Sequence, residues 1–196
     1  MMPVLKFLIR IYFRIMYKVQ IVGMENLPDG EGAIIAPNHI SNLDPLLVVG
    51  FCKKPMKAMA KAELFKNKIC AAFFKAVGAF PINRGDADIT AIKTCLRFLK
   101  KEELVLIFPH GTRIKPGEDI SIKEGVVLMA LKARKNIVPC YISGTYGFRK
   151  PITLHIGKPF DLSSHFDDKI TPSGAKQLAD EIWQAMKDLD KESVKI

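Results

Sequence analysis

The chain reads as an α/β protein: a layered domain with a largely parallel or mixed central sheet flanked by helices, preceded by an N-terminal amphipathic membrane-interface helix. Three observations predict this. Apolar runs such as Ile34-Ile35-Ala36 and Leu104-Val105-Leu106-Ile107-Phe108 read as buried core strands. Segments with helical spacing lie between the runs, and strands alternating with helices indicate layered α/β units. The first 18 residues match neither pattern, because Lys6, Arg10, Arg14 and Lys18 recur every four residues and form one basic stripe on a helix.

Taken in order, residues 1–18 come first. Leu5, Leu8, Ile9, Tyr12, Phe13 and Met16 fill much of the circumference outside the basic stripe. Crossing a bilayer takes ~20 mostly uncharged residues, and here every turn carries a charge. A secretory signal would have an unbroken apolar centre and a small-residue cleavage site, and neither is seen. The segment fits an interfacial helix with its apolar side in the acyl boundary and its cations toward anionic headgroups. Packing on its own domain is the alternative. The chain thus divides into a membrane-associating helix, 1–18, and one folded domain, 19–196.

Residues 19–23 suit a short strand, and Leu27-Pro28-Asp29-Gly30 is a turn. A buried strand at 32–36 runs into Pro37-Asn38-His39. A helix over 46–51 is expected to have Asp44 as N-cap and Pro45 in its first position. Strand 56–60, an apolar helix over 63–77, an extended stretch at 80–83 and a helix from Asp86 to about 101 follow. Strand 104–108 leads into Pro109-His110-Gly111-Thr112-Arg113, and a polar loop runs to Lys123. Helical spacing over 125–133, strands at 137–142 and 152–156, and an amphipathic helix over 172–189 complete the chain.

Composition narrows the partners. With 196 residues, 48% apolar and 26% charged, the chain is an ordinary folded protein. Its formal charge of +10 favours an anionic partner. Aromatic side chains sit mainly in apolar stretches such as Phe73-Phe74 rather than among the basic residues, which disfavours RNA or DNA and leaves a membrane surface ahead. The four cysteines have no CxxC spacing. They indicate neither a metal site nor a disulfide framework, but a reduced, cytosolic setting with the thiols buried.

His39 and Asp44 are the candidate catalytic pair. A strand delivers His39 to a sheet edge, and a tight turn brings Asp44 back beside it. Histidine can take a proton from a hydroxyl near neutral pH. A carboxylate on its other ring nitrogen fixes the tautomer and stabilises the imidazolium. No GxSxG elbow or other protein nucleophile accompanies them, so the activated hydroxyl belongs to the substrate. Against this, Asp44-Pro45 is also what a helix start wants, and a lone histidine at a strand end is commonly structural.

Four motifs together go further. His39-x4-Asp44 after an apolar strand resembles the first motif of the 1-acylglycerol-3-phosphate acyltransferase (lysophosphatidic acid acyltransferase) family. Gly78-Ala79-Phe80-Pro81-Ile82-Asn83-Arg84 is similar to the second, which ends in arginine. Phe108-Pro109-His110-Gly111-Thr112-Arg113 resembles the third, usually Phe-Pro-Glu-Gly-Thr-Arg. Val138-Pro139-Cys140-Tyr141-Ile142 looks like the proline-centred fourth. They come in the family's order and span residues 38–142.

The resemblance implies acyl transfer from a thioester, acyl-CoA or acyl carrier protein, to the sn-2 hydroxyl of lysophosphatidic acid, giving phosphatidic acid. No metal or redox cofactor is needed, because the thioester is already activated. The setting implied is the cytoplasmic face of a membrane, with the protein monotopic or peripheral. His39 would be the general base and Asp44 its partner. Arg84 and Arg113, with forked donors suited to phosphate, would bind the acceptor. Lys123 either adds charge at the same mouth or is a surface cation. Backbone N–H groups near Gly111 and Thr112 are candidates for the oxyanion. Pro139 is a structural or acyl-donor-pocket residue rather than a chemical one. His110 departs from the family's glutamate and removes a negative charge between cations, which would favour a more anionic headgroup or reduce activity. The rivals are an acyltransferase of the same fold acting on another lysolipid, and a non-catalytic membrane- or lipid-binding relative.

Overall fold

The computed structural model describes residues 2–82, 89–115 and 118–193. Among them, seven strands form one sheet: β1 (Lys18–Val22), β2 (Ile34–Pro37), β3 (Met56–Lys61), β4 (Ala79–Ile82), β5 (Leu104–Leu106), β6 (Ile137–Gly144) and β7 (Pro151–Ile156). Their order is β1-β7-β6-β2-β5-β3-β4. Neighbours run parallel except β6 and β7, which are antiparallel. The α/β class and mixed sheet expected from the sequence are therefore present. Strands β2 and β5 lie side by side near the middle and are buried throughout, as strands covered on both faces must be.

Helices cover both faces. α1 (Met2–Met16), α2 (Asp44–Phe51) and α3 (Lys68–Ala76) pack on one side. α4 (Ile89–Lys100), α5 (Glu124–Ala133) and α6 (Pro172–Ser193) pack on the other. Because β2 and β5 are parallel, the loops after them leave the sheet at the same edge. Those loops carry His39 and the 109–113 segment, so the topology alone brings the first and third motifs together.

α1 partitions its faces in a way its sequence did not reveal. Ile9 and Phe13 are buried against the domain, and Tyr17 follows them into the core. The basic stripe is not all solvent-facing. The Lys6 ammonium donates to Cys52 O (3.1 Å) and Arg10 Nε donates to Gly50 O (2.7 Å). These carbonyls close the C-terminal end of α2, where cations offset the helix dipole and satisfy orphan acceptors. Phe7, Leu8, Ile11 and Ile15 remain outside as an uncovered apolar strip. Among the described residues no helix is long and apolar enough to cross a membrane.

Three local expectations change. The helix expected over 63–77 is interrupted: a 3-10 turn at Ala62–Phe65 precedes α3, whose N-cap is Asn67. The Asn67 side-chain Oδ1 accepts from Ile69 N (2.8 Å) and Cys70 N (3.2 Å), a cap that competes with an unbroken helix. Cys70 is exposed on α3, whereas Cys52, Cys95 and Cys140 are buried as expected. α2 starts at Asp44 itself with Leu43 as N-cap, so Asp44 is not the cap that the sequence predicts. The expected helix start at Asp86 lies outside the described residues.

Candidate active site

β2 ends at Pro37, and the Asn38 side chain extends the sheet by one more pair of bonds. Asn38 is buried, donates from Nδ2 to Ile142 O (3.0 Å) and accepts from Ile142 N (2.6 Å). This amide latch on β6 anchors the backbone just before His39. The sequence motif contains Asn38, but the latch needed the three-dimensional neighbour to be recognised.

His39 and Asp44 meet. His39 Nδ1 and Asp44 Oδ2 are 2.7 Å apart, and the carboxylate is fully buried. The same oxygen accepts the backbone N–H groups of Ile40 and Ser41, each at 2.7 Å. Asp44 therefore turns back into the turn before α2 instead of forward onto the helix, which is why it does not cap it. Oδ1 accepts a fourth bond, from the Tyr146 hydroxyl at 2.7 Å. An acceptor-only carboxylate with four donors has its geometry over-determined. The His39 ring stacks on Phe108 (4.1 Å between centroids, 27° between planes). With Nδ1 held by Asp44, Nε2 is the ring nitrogen left for the cleft that His39 lines.

That cleft has a volume of about 920 Å³. Its wall is largely apolar, with Leu46, Val49, Phe73, Phe74 and Val77 from α2, α3 and the turn after α3. Lys61, Thr112, Arg113 and Lys115 supply the polar rim. A long apolar slot with cations and one histidine at its edge suits an amphiphile with an anionic head.

The 109–114 loop is tied to the dyad through backbone: Ile114 N donates to His39 O (2.8 Å). Gly111 has φ +73°, in the left-handed region, and its N–H closes a turn onto Phe108 O (3.0 Å). That N–H is already used, so the oxyanion candidates reduce to Thr112 and Arg113, whose N–H groups have no backbone acceptor among the described residues. Lys123 comes to the same turn: its N–H bonds Pro109 O (3.1 Å), and its ammonium sits where a side chain on Gly111 would point. It is not part of the cleft wall. Gly111→Ala is expected to cost about 1–2 kcal/mol through left-handed strain alone, measured as a lower denaturant midpoint with unchanged slope.

Two other candidates sit away from the cleft. His110 is buried under the loop with its ring edge-on to Trp183 of α6 (4.7 Å, 85°), on the far face of the sheet. Burial is the main cause that lowers its pKa; the backbone of Ile120 opposes this without hydrogen-bonding geometry, and the charge of His39 adds to it. His110 thus packs beneath the loop in a setting that disfavours its charged form, and it does not line the cleft. Pro139 is buried within β6 and does not line the cleft. Its carbonyl accepts Gly157 N (2.8 Å) just past the end of β7, so its missing N–H faces a stretch where the ladder has already stopped. Arg84 lies outside the described residues.

Tyr146 and Phe108 touch the dyad directly. Phe108 was visible only as a motif letter, and Tyr146 stands outside every motif, so nothing in the linear sequence marks it.

Comparison with known proteins bears on this arrangement. A sequence model of the family described as Acyltransferase matches residues 18–143. The chain is 37% identical over 147 residues to the 1-acyl-sn-glycerol-3-phosphate acyltransferase of Bacillus subtilis, covering 72% of this chain and 73% of that protein. It is 32% identical over 171 residues to the protein of the same name from Streptococcus pneumoniae, covering 83% and 62%. The crystal structure of the 1-acyl-sn-glycerophosphate (LPA) acyltransferase PlsC from Thermotoga maritima superposes with a TM-score of 0.76 at 21% identity, over 98% of this chain and 79% of that one. That structure shares the fold, and the two sequence relatives share the family. With the matched segment covering β1 through nearly all of β6, the chain belongs to the acyltransferase family.

Proposed function

We propose that this protein transfers a fatty acyl group from a thioester, acyl-CoA or acyl carrier protein, to the sn-2 hydroxyl of lysophosphatidic acid at a membrane surface, forming phosphatidic acid. The observation that carries the reading is His39, fixed by Asp44 at Nδ1, on the edge of an apolar cleft with a cationic rim. The names of the Bacillus and Streptococcus relatives support this choice of acceptor and product.

In this mechanism Nε2 of His39 accepts the proton of the acceptor hydroxyl as its oxygen attacks the thioester carbonyl. Asp44 holds the ring tautomer and stabilises the imidazolium that forms. The N–H groups of Thr112 and Arg113, which have no backbone acceptor among the described residues, donate to the tetrahedral oxyanion. Collapse breaks the carbon–sulfur bond, and the departing thiolate takes its proton from the imidazolium. Arg113, with Arg84 as its partner, neutralises the acceptor phosphate, and Lys123 adds charge behind the turn. The uncovered apolar strip of α1 lies in the membrane interface and brings the cleft to its lipid substrate.

Purified protein with lipid vesicles and a donor-by-acceptor matrix tests the assignment. Lysophosphatidic acid is expected to be the preferred acceptor. Equal or better turnover of a lysolipid without a phosphomonoester head would overturn it. Arg113→Ala is expected to raise KM for lysophosphatidic acid with a loss of ~1.5–3 kcal/mol in kcat/KM, the usual size of a charge-assisted bond. An unchanged acceptor KM would remove Arg113 from the headgroup site.

A further inference from the structure

The hairpin loop joining β6 and β7 reaches back over the dyad. Gly144, at φ +96°, makes the turn possible: a β-carbon there would come within 2.2 Å of Pro151 O. Thr145 N donates to Pro151 O (3.3 Å), Arg149 N donates to Met16 O (2.6 Å) and Lys18 N donates to Lys150 O (2.9 Å). The loop is thus tied to β7 on one side and to the end of α1 on the other. Tyr146 sits in it with its ring edge-on to Tyr17 (5.4 Å, 87°), and Tyr17 in turn packs on Phe13 of α1 (5.6 Å). The hydroxyl of this fixed ring donates 2.7 Å to the Asp44 oxygen that His39 does not use.

We propose that Tyr146 is a positioning residue of the dyad, its hydroxyl holding the Asp44 carboxylate against His39 and drawing off part of the negative charge that His39 feels. This rests on the reading of His39 as general base. Burial, then the Asp44 charge, push the phenol far above its usual range, so it remains a donor throughout the working pH range. The direction of the effect follows. A hydroxyl donor shares the carboxylate charge, so the imidazolium is less favoured with Tyr146 than without it. The bond also fixes the rotation of the carboxylate, because Ile40, Ser41 and His39 all lie on the other oxygen. Without Tyr146, Oδ1 has no other donor among the described residues.

Among the described residues, the other titratable or charged groups around the dyad are Tyr17, packed on Tyr146, His110 beyond the loop after β5, and Lys61, Arg113 and Lys115 on the rim of the cleft that His39 lines. Tyr146→Phe leaves each of these side chains in place and keeps the ring on Tyr17, so its difference from the native protein isolates the one hydroxyl.

Tyr146→Phe keeps the ring on Tyr17 and removes only the donor. It is expected to lower kcat roughly tenfold, as for losing a bond to a charged group. The acid limb of the kcat/KM profile is expected to move up by roughly half to one pH unit. A direct readout avoids turnover: in protein labelled with 15N-histidine, assigned by the spectrum of His39→Ala, the titration midpoint of the His39 ring should move upward in the same variant. Fluorotyrosine at position 146, a stronger donor in the native shape, should move it downward, which keeps the test alive if Tyr146→Phe folds poorly. Unchanged midpoints in both variants would overturn the proposal even if His39→Ala is inactive. An active His39→Ala would instead sink the base assignment, while the ring titration still decides whether Tyr146 acts on His39.

Discussion

His39→Ala is expected to lower kcat about 10²–10⁴-fold, the usual worth of a positioned general base, which is about 3–5.5 kcal/mol of barrier. The loss should appear in kcat more than in KM for either substrate, because the proposed base meets the reacting oxygen and neither the acyl chain nor the phosphate. Stability should respond differently at the two members of the pair. His39→Ala removes one donor from a carboxylate that keeps three others: Ile40 N, Ser41 N and the Tyr146 hydroxyl. Asp44→Ala leaves His39, Ile40, Ser41 and Tyr146 all without an acceptor in a buried site, at about 1–3 kcal/mol for each buried group not reached by water. The expected result is an inactive, folded His39→Ala and an inactive Asp44→Ala with a clearly lower Tm. Turnover by His39→Ala near the native rate would refute the base assignment.

The second large effect concerns α1. Phe7, Leu8 and Ile15 are 61, 54 and 59% exposed, so they contribute little to the folded domain. If that strip enters the lipid interface, each side chain gains about half of the ~1.5–3 kcal/mol that full burial is worth. Changing all three to serine should then weaken vesicle binding roughly 10²–10³-fold while leaving Tm within a degree or two. Activity on vesicle-borne acceptor should fall in proportion. Activity on acceptor below its micelle concentration should not. Wild-type vesicle affinity in the triple variant would assign the strip to some other contact.

Much of the frame was legible in the linear sequence because it rests on local rules. Buried strands such as Ile34-Ile35-Ala36 and Leu104-Val105-Leu106 announce themselves by being apolar throughout, and strand–helix alternation leads to the layered sheet. The dyad was legible as a spacing. Its environment was not, since the donors that converge on Asp44 include a hydroxyl 102 residues away. Asp44-Pro45 suggested a cap because an isolated carboxylate before a helix does bond forward; four stronger claims from behind and beside it turn the side chain round. The continuous helix expected over 63–77 failed at Asn67, whose amide satisfies the orphan N–H groups at the start of α3. Their place in motifs made His110 a candidate for the acceptor site and Pro139 a structural or acyl-donor-pocket residue, but in a sheet covered on both faces a residue near the edge that carries His39 can belong to either side. Their neighbours Trp183, edge-on to His110, and Gly157, whose N–H bonds Pro139 O, are remote in sequence.

The bonds from Lys6 and Arg10 to the end of α2 change what kind of object α1 is. The helix that carries the uncovered apolar strip also puts Phe13 into the core and caps the helix that begins with Asp44. Cutting the helix away would strip a wall from the core and loosen the far end of the segment that begins at Asp44, the partner of His39. A variant that lacks only the strip therefore has to be made by repainting the outer face of that helix, not by removing it.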